Sequence, residues 1–512
     1  MNMIPKPNSR PEFLDGSFPV KNLISVNHAD FDSTCLSAFE SRTKTPLARC
    51  AEASLTLIRD AAMPKDAYHL LIKPDGITVT ASAEAGIILG LTSLYLLRDG
   101  AAYPALSLND APKYSHRGFM LDCARHFFPV ETVKEIIELN ALLKLNVFHW
   151  HLSDDQGWRI ESKAFPKLHQ TDGQAFYTQD EIRDIVLFAK LRGVEIIPEI
   201  DMPGHTSAAL AAYPHLSCHG EDVSLKTRGG IFPIIFCAGK DSTYAFIKAL
   251  LDEICPLFDS PYFHLGGDEA PKTVWESCPD CKAKLSAIGS DDFEDLQGHF
   301  TSVVADMLRG QGKIPVCWND MLASAAHPDP LQIQQWLSLK NPGSTRTFMD
   351  AGHSVVFSDM FFVYFDYPEA FSSLKRVYAY TPAICGEDVS SHPGTLGIQA
   401  CLWSERVITK QQLFTLIYPR LFAVAEAAWT IERDYADFEC RLKPWLAEMA
   451  AQNLPFLPLA QCNPTGDARS KQIFETLKAF SAVMSEDTEG TLPITPDTLA
   501  PFLRGFDIEL PK

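Results

Sequence analysis

Between about Arg117 and Trp403 the chain repeats one pattern: a short apolar run, then a longer stretch with helical spacing. Eight runs read as strands: GFMLDCA (118–124), LNVFHWHL (145–152), VEIIPEI (194–200), YFHLGG (262–267), IPVCWN (314–319), LQIQQW (331–336), SVVFSD (354–359) and GIQACLW (397–403). Strands of this kind separated by helices argue for parallel pairing with crossover connections. TQDEIRDIVLFAKLRG (178–193) is the clearest helix. Thr178 can cap it, Glu181 stands three residues on, Ile182, Ile185, Val186 and Ala189 share a face, and Gly193 is a stop signal. Eight strand–helix units in this span predict a (β/α)8 TIM barrel. The connection after the sixth strand is short, with the weakest helix. The one after the seventh, about 360–394, is long and rich in Phe, Tyr, Pro and Gly, as functional loops are.

The flanks break the rhythm. YHLLIKPDGITVTAS (68–82) reads as a hairpin turning at Pro74-Asp75-Gly76, and AGIILGLTSLYLL (85–97) as a buried helix. Residues 1–112 are therefore expected to form a small α/β domain, 113–435 the barrel, and 436–512 a helical extension, FECRLKPWLAEMAAQNL, with a Pro- and Thr-rich tail.

Composition narrows the class. The 512 residues are 46% apolar and 21% charged, as in a globular protein with a large core. The net charge of −19 disfavours nucleic acid and anionic membranes as partners. No apolar run reaches the ~18–20 residues of a spanning helix. The N-terminus MNMIPKPNSRPEF lacks the apolar centre of a signal peptide, which fits a cytoplasmic protein or the processed form of an exported one. Thirteen cysteines are an odd number, so they do not all pair within the chain.

In such a barrel chemistry gathers at the C-terminal strand ends. There the sequence places Arg125, Asp154, Asp155 and Trp158, then Glu199, Asp201 and His205, then Asp268-Glu269, Trp318, Trp336, Tyr364, Asp366, Trp403 and Glu405. Taken singly, each has an ordinary reading: a solvated or capping acid pair, core tryptophans, a core histidine at 205, a structural ion pair at Arg125. Together, aromatic faces beside convergent acids suit a sugar, with C–H faces on rings and hydroxyls in hydrogen bonds. Paired carboxylates are the chemistry of glycoside hydrolysis, in which one must remain protonated as acid. Adjacent strand residues point to opposite sides, so Asp268 and Glu269 are expected to address different atoms. The alternation His149-Trp150-His151 looks like a metal site, but the sequence places no third ligand. Cys278-Pro-Asp-Cys281 has zinc-like spacing without a second such pair, so neither a metal nor another cofactor is expected. Cys218 and Cys237 bracket a loop and are expected to form a disulfide if the protein works outside the cytoplasm.

RGFMLDCARHFFP, NVFHWHLSDDQGWRIE, EIIPEIDMPGHTSAAL, HLGGDEA and QACLWSE resemble, in order and spacing, the motifs of family 20 glycoside hydrolases, the β-N-acetylhexosaminidases. The resemblance covers about 65–435. It implies an exo-acting enzyme on β-linked N-acetylhexosamines, a non-catalytic N-terminal domain and an extracytoplasmic home. By motif, Glu269 matches the acid/base and Asp268 the carboxylate that orients the substrate's 2-acetamido group, whose oxygen attacks the anomeric carbon. Tyr364 matches the tyrosine on that oxygen. Trp318, Trp336 and Trp403 match the box around acetamide and sugar. Arg125, Asp366 and Glu405 match the residues on the ring hydroxyls, and Asp154 and His205 a relay to the acid. Trp275 is a candidate wall of the leaving-group subsite. A disaccharide-releasing lacto-N-biosidase and a non-catalytic sugar-binding relative are the alternatives.

Overall fold

In the computed structural model eight parallel strands close into a barrel. The structure describes residues 2–485 apart from 22–23, 51–52, 221–222, 325–326 and 339–341, and again 503–506 and 508. The strands are β1 (His116–Asp122), β2 (Val147–His151), β3 (Glu195–Glu199), β4 (Tyr262–His264), β5 (Ile314–Trp318), β6 (Gln332–Gln335), β7 (Ser354–Phe357) and β8 (Thr395–Leu402). Each pairs with the next, and β8 returns to β1. The (β/α)8 barrel expected from the pattern is therefore present.

Strand alternation sorts the side chains. Phe148 and Trp150 of β2 join the outer apolar core with Ile136, Ile182 and Ile185 of the surrounding helices. His149 and His151, between and beyond them, meet Glu199. The His-Trp-His alternation is thus a barrel-strand pattern with an unusually polar inner face. The helix Gln179–Lys190 starts with the full capping box of Thr178 and Glu181, and Gly193 beyond it has a φ of +72°. The helix after β6 is short, Pro342–Asp350. The long connection after β7 carries two short helices, Met360–Val363 and Leu374–Ala379, and a two-stranded hairpin.

The N-terminal region forms a seven-stranded mixed sheet, with the expected hairpin at Tyr68–Lys73 and Gly76–Ala81. Helix Glu84–Leu96 has no polar face because both sides are covered. Ile87, Leu91 and Leu94 pack on the sheet core, while Ile88 lies against Gly193 of the barrel. At the C-terminus the expected helix spans Tyr435–Ala451, and a second runs over Gly466–Ser485. Most of the Pro- and Thr-rich tail lies outside the described residues. Leu503, Phe506 and Ile508 join an apolar cluster with Phe361 and Phe371 beside the long β7 connection. No described helix is long and apolar enough to cross a membrane.

Sheet and barrel are joined by a buried ionic knot. Lys144, before β2, donates to Tyr68 Oη (2.8 Å) and Asp110 Oδ2 (3.3 Å), and both the Lys144 and Asp110 side chains are fully buried. Asp110 also accepts from Tyr68 and from Trp429 Nε1, and Lys144 lies over the Trp429 ring. Burial outweighs Asp110 and brings the Lys144 pKa down to about 8. Removing one partner of such a pair strands the other in low dielectric. Lys144→Met is therefore expected to cost about 3–5 kcal/mol, read as a fall in thermal midpoint, with part regained when Asp110→Asn is added. An unchanged midpoint in the single variant contradicts the assignment.

Candidate active site

Strand β4 stops at His264, and the residues after it turn sharply. Gly266 and Gly267 have φ of +65° and +94°, and Glu269 itself has φ of +51°. A Cβ on residue 266 would stand 1.8 Å from Asp201 Oδ1, so the turn is open only to glycine there. This corrects the expectation that Asp268 and Glu269 diverge by strand alternation. The strand has already ended, and a left-handed turn sets their directions. Left-handed backbone at a non-glycine residue costs of order 1–3 kcal/mol and is held only by its surroundings. Part of that hold is Asp320 just after β5, whose Oδ1 accepts from Glu269 N–H at 3.1 Å. Its Oδ2 accepts from Trp336 Nε1 at 2.7 Å.

Behind the two acids runs a chain of alternating charge. Glu199 at the end of β3 has no exposure. It accepts from His151 Nδ1 (2.5 Å) and Trp318 Nε1 (2.9 Å) and lies 3.1 Å from His264 Nδ1. His151 Nε2 reaches Asp154 Oδ2 at 2.9 Å, and Arg125 reaches the same oxygen at 2.8 Å. His205, also left-handed at φ +52°, sets Nδ1 3.3 Å from Asp154 and 3.2 Å from Asp155. Its Nε2 faces Glu269 at 3.6 Å and Asp268 at 3.8 Å.

The charges follow from these neighbours. Burial opposes charge on His151 and His205, but the carboxylates around them win and hold both well above the usual imidazole range. Burial alone would raise Asp154, yet Arg125 and His205 hold it well below the usual carboxylate range. Asp268 behaves oppositely. Burial pushes it up to about 7 against His205, with Asp320 and Glu269 adding repulsion. Asp268 Oδ1 is buried and has no hydrogen-bond partner among the described residues. An oxygen in that condition is free to accept a hydrogen bond.

Aromatic rings wall the space in front. Trp318 lies 5.9 Å from Trp403, Trp403 6.1 Å from Tyr364, and Tyr364 stacks 6.4 Å from Trp336 at 18°. Arg125 sits over Trp403 at 4.9 Å and 4.0 Å from Glu405, at the other side of the pocket. Asp366 keeps a buried Oδ1 without a partner among the described residues, and burial with Glu405 raises it to about 7. Arg125, Asp154, His205, Asp268, Glu269, Trp318, Trp336, Tyr364, Asp366, Trp403 and Glu405 thus converge on the C-terminal mouth of the barrel.

Two further expectations are corrected. Trp275 has no exposure, and its indole donates to the Phe236 carbonyl at 2.9 Å; it is a core residue and cannot wall a subsite. Cys218 and Cys237 do not pair as a disulfide. None of the 13 cysteines is joined in a disulfide, and Cys237 lies 3.6 Å from Cys281 and 3.8 Å from Cys278. Asp320 was not among the residues selected from sequence, and two of the strand-end acids named there, Glu199 and Asp155, take supporting places. Asp320 positions Glu269 and Trp336, Glu199 anchors the relay, and Asp155 accepts from Ser207 N–H at 2.9 Å while facing His205. His149, Glu199 and His264 lie close enough to hold a metal ion, but Glu199 already takes hydrogen bonds from His151 and Trp318.

Comparison with known proteins gives two family matches: Glycosyl hydrolase family 20, catalytic domain, over residues 114–432, and Glycosyl hydrolase family 20, domain 2, over 1–111. A beta-hexosaminidase of Porphyromonas gingivalis is 33% identical over 493 residues, covering 86% of this chain. The chain spans 62% of that relative's length. A β-N-acetylhexosaminidase structure from Bacteroides fragilis superposes with a TM-score of 0.81 at 30% identity, covering 89% of this chain and 97% of that one. A Vibrio harveyi exo β-N-acetylglucosaminidase solved with N-acetylglucosamine gives 0.79 at 30% identity, covering 89% and 78%.

The role of Asp320 is testable on its own. Asp320→Ala removes the acceptor for both Glu269 N–H and the Trp336 indole. We expect kcat/KM on a cleaved glycoside to fall by on the order of 10²-fold, the scale for small misplacement of reacting groups, with far-UV circular dichroism unchanged. Activity within a few-fold of the parent contradicts this role.

Proposed function

The chain belongs to glycosyl hydrolase family 20, and from that premise we propose that it is an exo-acting β-N-acetylhexosaminidase. It removes terminal, non-reducing β-linked N-acetylglucosamine or N-acetylgalactosamine with retention, using the substrate's acetamide as nucleophile. The observation that carries this reading is Asp268: a half-buried carboxylate whose buried Oδ1 has no partner among the described residues, beside an aromatic cage and next to the more exposed Glu269.

In this reading the sugar ring stacks in the cage, with Trp403 beneath it and its hydroxyls against Arg125, Asp366 and Glu405. The acetamide lies among Trp318, Trp336 and Tyr364. Its N–H donates to Asp268, which must then be ionised. Binding supplies the donor that burial withheld, and the positive charge of the forming oxazolinium favours the anion further. The acetamide oxygen forms a bond to the anomeric carbon as the glycosidic C–O bond breaks. Glu269 gives its proton to the departing oxygen. Glu269 then takes a proton from water, which opens the oxazolinium and restores the acetamide. His205 faces both acids as an imidazolium and opposes the build-up of two negative charges. Arg125 is neutralised by Asp154 and oriented by Gln156 at 3.2 Å, so it can hold a hydroxyl without moving.

The test compares nitrophenyl glycosides. β-N-acetylglucosaminide and β-N-acetylgalactosaminide are expected to be cleaved, and the β-glucoside, with a hydroxyl in place of the acetamide, to be nearly inert. Preferential cleavage of the β-lacto-N-bioside would favour the disaccharide-releasing alternative. Glu269→Gln is expected to lose roughly 10²–10⁴-fold on a poor leaving group and much less on one that needs no proton. Efficient turnover of the β-glucoside, or equal losses on both leaving groups, contradicts the reading.

A further inference from the structure

Four cysteines from two distant parts of the chain meet behind the active-site loops. Cys237, Cys278 and Cys281 have no exposure and Cys218 only 8%. Their sulfurs all lie within 4.8 Å of one another. The closest approaches are 3.6 Å for Cys237–Cys281 and 3.8 Å for both Cys218–Cys281 and Cys237–Cys278. A disulfide needs a sulfur separation near 2.05 Å. Four thiolates at about 2.3 Å from a tetrahedral zinc ion are separated by about 3.8 Å. Cys237 approaches two partners about equally, and so does Cys281, as in a tetrahedron and unlike two separate pairs.

We infer that Cys218, Cys237, Cys278 and Cys281 hold one structural zinc ion. Soft thiolate ligands in a closed set of four select zinc and leave no position for substrate or water. The second pair, not marked by spacing in the sequence, is supplied by Cys218 and Cys237, which come together because their neighbours Ser217 and Phe236 form a single antiparallel bridge. Cys237 N–H also donates to the Leu216 carbonyl at 3.0 Å. The backbone is shaped to match. A Cβ on Gly239 would lie 2.2 Å from the Asp280 carbonyl carbon, so this loop and the Cys278–Cys281 segment touch main chain to main chain.

The ion would clamp two loops of the pocket. One is the excursion after β3, pinned at both ends by Cys218 and Cys237. Between them Lys226 N–H donates to the Asp155 carbonyl at 3.3 Å, the Arg228 carbonyl accepts from Gln156 Nε2 at 2.5 Å, and Gly229 packs on Glu405. The other is the segment that follows Glu269 and runs through the buried Trp275 to Cys278. Zinc binding would then be folding energy for the rim of the sugar pocket, without touching the reacting atoms.

The test is metal analysis of the full chain purified without added metal, with peptide mapping under non-reducing conditions. We expect close to one zinc per chain, released by a mercurial reagent as four thiols are titrated, and all four cysteines unalkylated until then. Cobalt grown in place of zinc should give the visible spectrum of a tetrahedral thiolate site. Cys278→Ser/Cys281→Ser should lower zinc to below about a tenth per chain and lower the thermal midpoint. If that variant does not fold, the metal content and cobalt spectrum of the parent chain decide alone. Disulfides among the four cysteines, iron in place of zinc, or four free thiols without stoichiometric metal would each overturn the inference.

Discussion

A carboxylate without solvent stands at the centre of the barrel, and the site depends on how it is neutralised. An isolated buried ion costs several kcal/mol even after relaxation. Glu199 offsets that cost with donors from β2 and β5, His151 and Trp318, and with His264 of β4 alongside. These contacts fix the charge on His151, and through it Asp154, Arg125 and His205, before any substrate arrives. The reacting pair, Asp268 and Glu269, is the last link of that chain, and Asp268 keeps a buried oxygen without a partner among the described residues. The inner face of the barrel is polar for this reason. His116, Gln399 and His149 continue the hydrogen-bonded column toward the opposite mouth, and burial holds His116 and His149 down to about 4, so both stay neutral.

Much of this was legible in the sequence because a parallel barrel writes its site at predictable positions. Each strand is a short apolar run, and the polar residues just past it share one mouth. Arg125, Asp154, His205, Asp268, Trp318, Trp336 and Trp403 could be found by that rule. The capping box at Thr178 and the hairpin at Pro74–Gly76 are local and were readable for the same reason. Asp320 was not, because its partners are a backbone N–H at 269 and an indole at 336, neither marked by spacing from 320. Trp275 was misplaced because an indole near an acid in sequence can still turn into the core. The divergence of Asp268 and Glu269 was expected from strand alternation, whereas the glycines before them end the strand first. The cysteine cluster was hidden because its halves lie 41 or more residues apart and meet only through loop packing.

The two flanking devices act at different distances from the chemistry. The Lys144–Asp110–Tyr68 knot seats the N-terminal sheet against the N-terminal end of the barrel, opposite the acids. The cysteine cluster lies at the open end and joins the loops that carry His205 and Glu269. The first bears on whether the chain stays folded, and the second on whether the pocket rim keeps its shape. Both place charged or soft groups where no water can stabilise them, so each demands a complete set of partners.

The central claim is that Asp268 serves the substrate's own acetamide rather than attacking the sugar. The most direct measurement is the equilibrium affinity of a thiazoline mimic of the oxazolinium, by calorimetry, for the parent chain and Asp268→Asn. The account predicts that the parent binds the mimic about 10²-fold or more tighter than free N-acetylglucosamine. It predicts that Asp268→Asn loses on the order of 10²–10³-fold of that affinity, the scale for one preorganised electrostatic group. Equal affinity in the two proteins, or a covalent sugar trapped on Asp268, would contradict it.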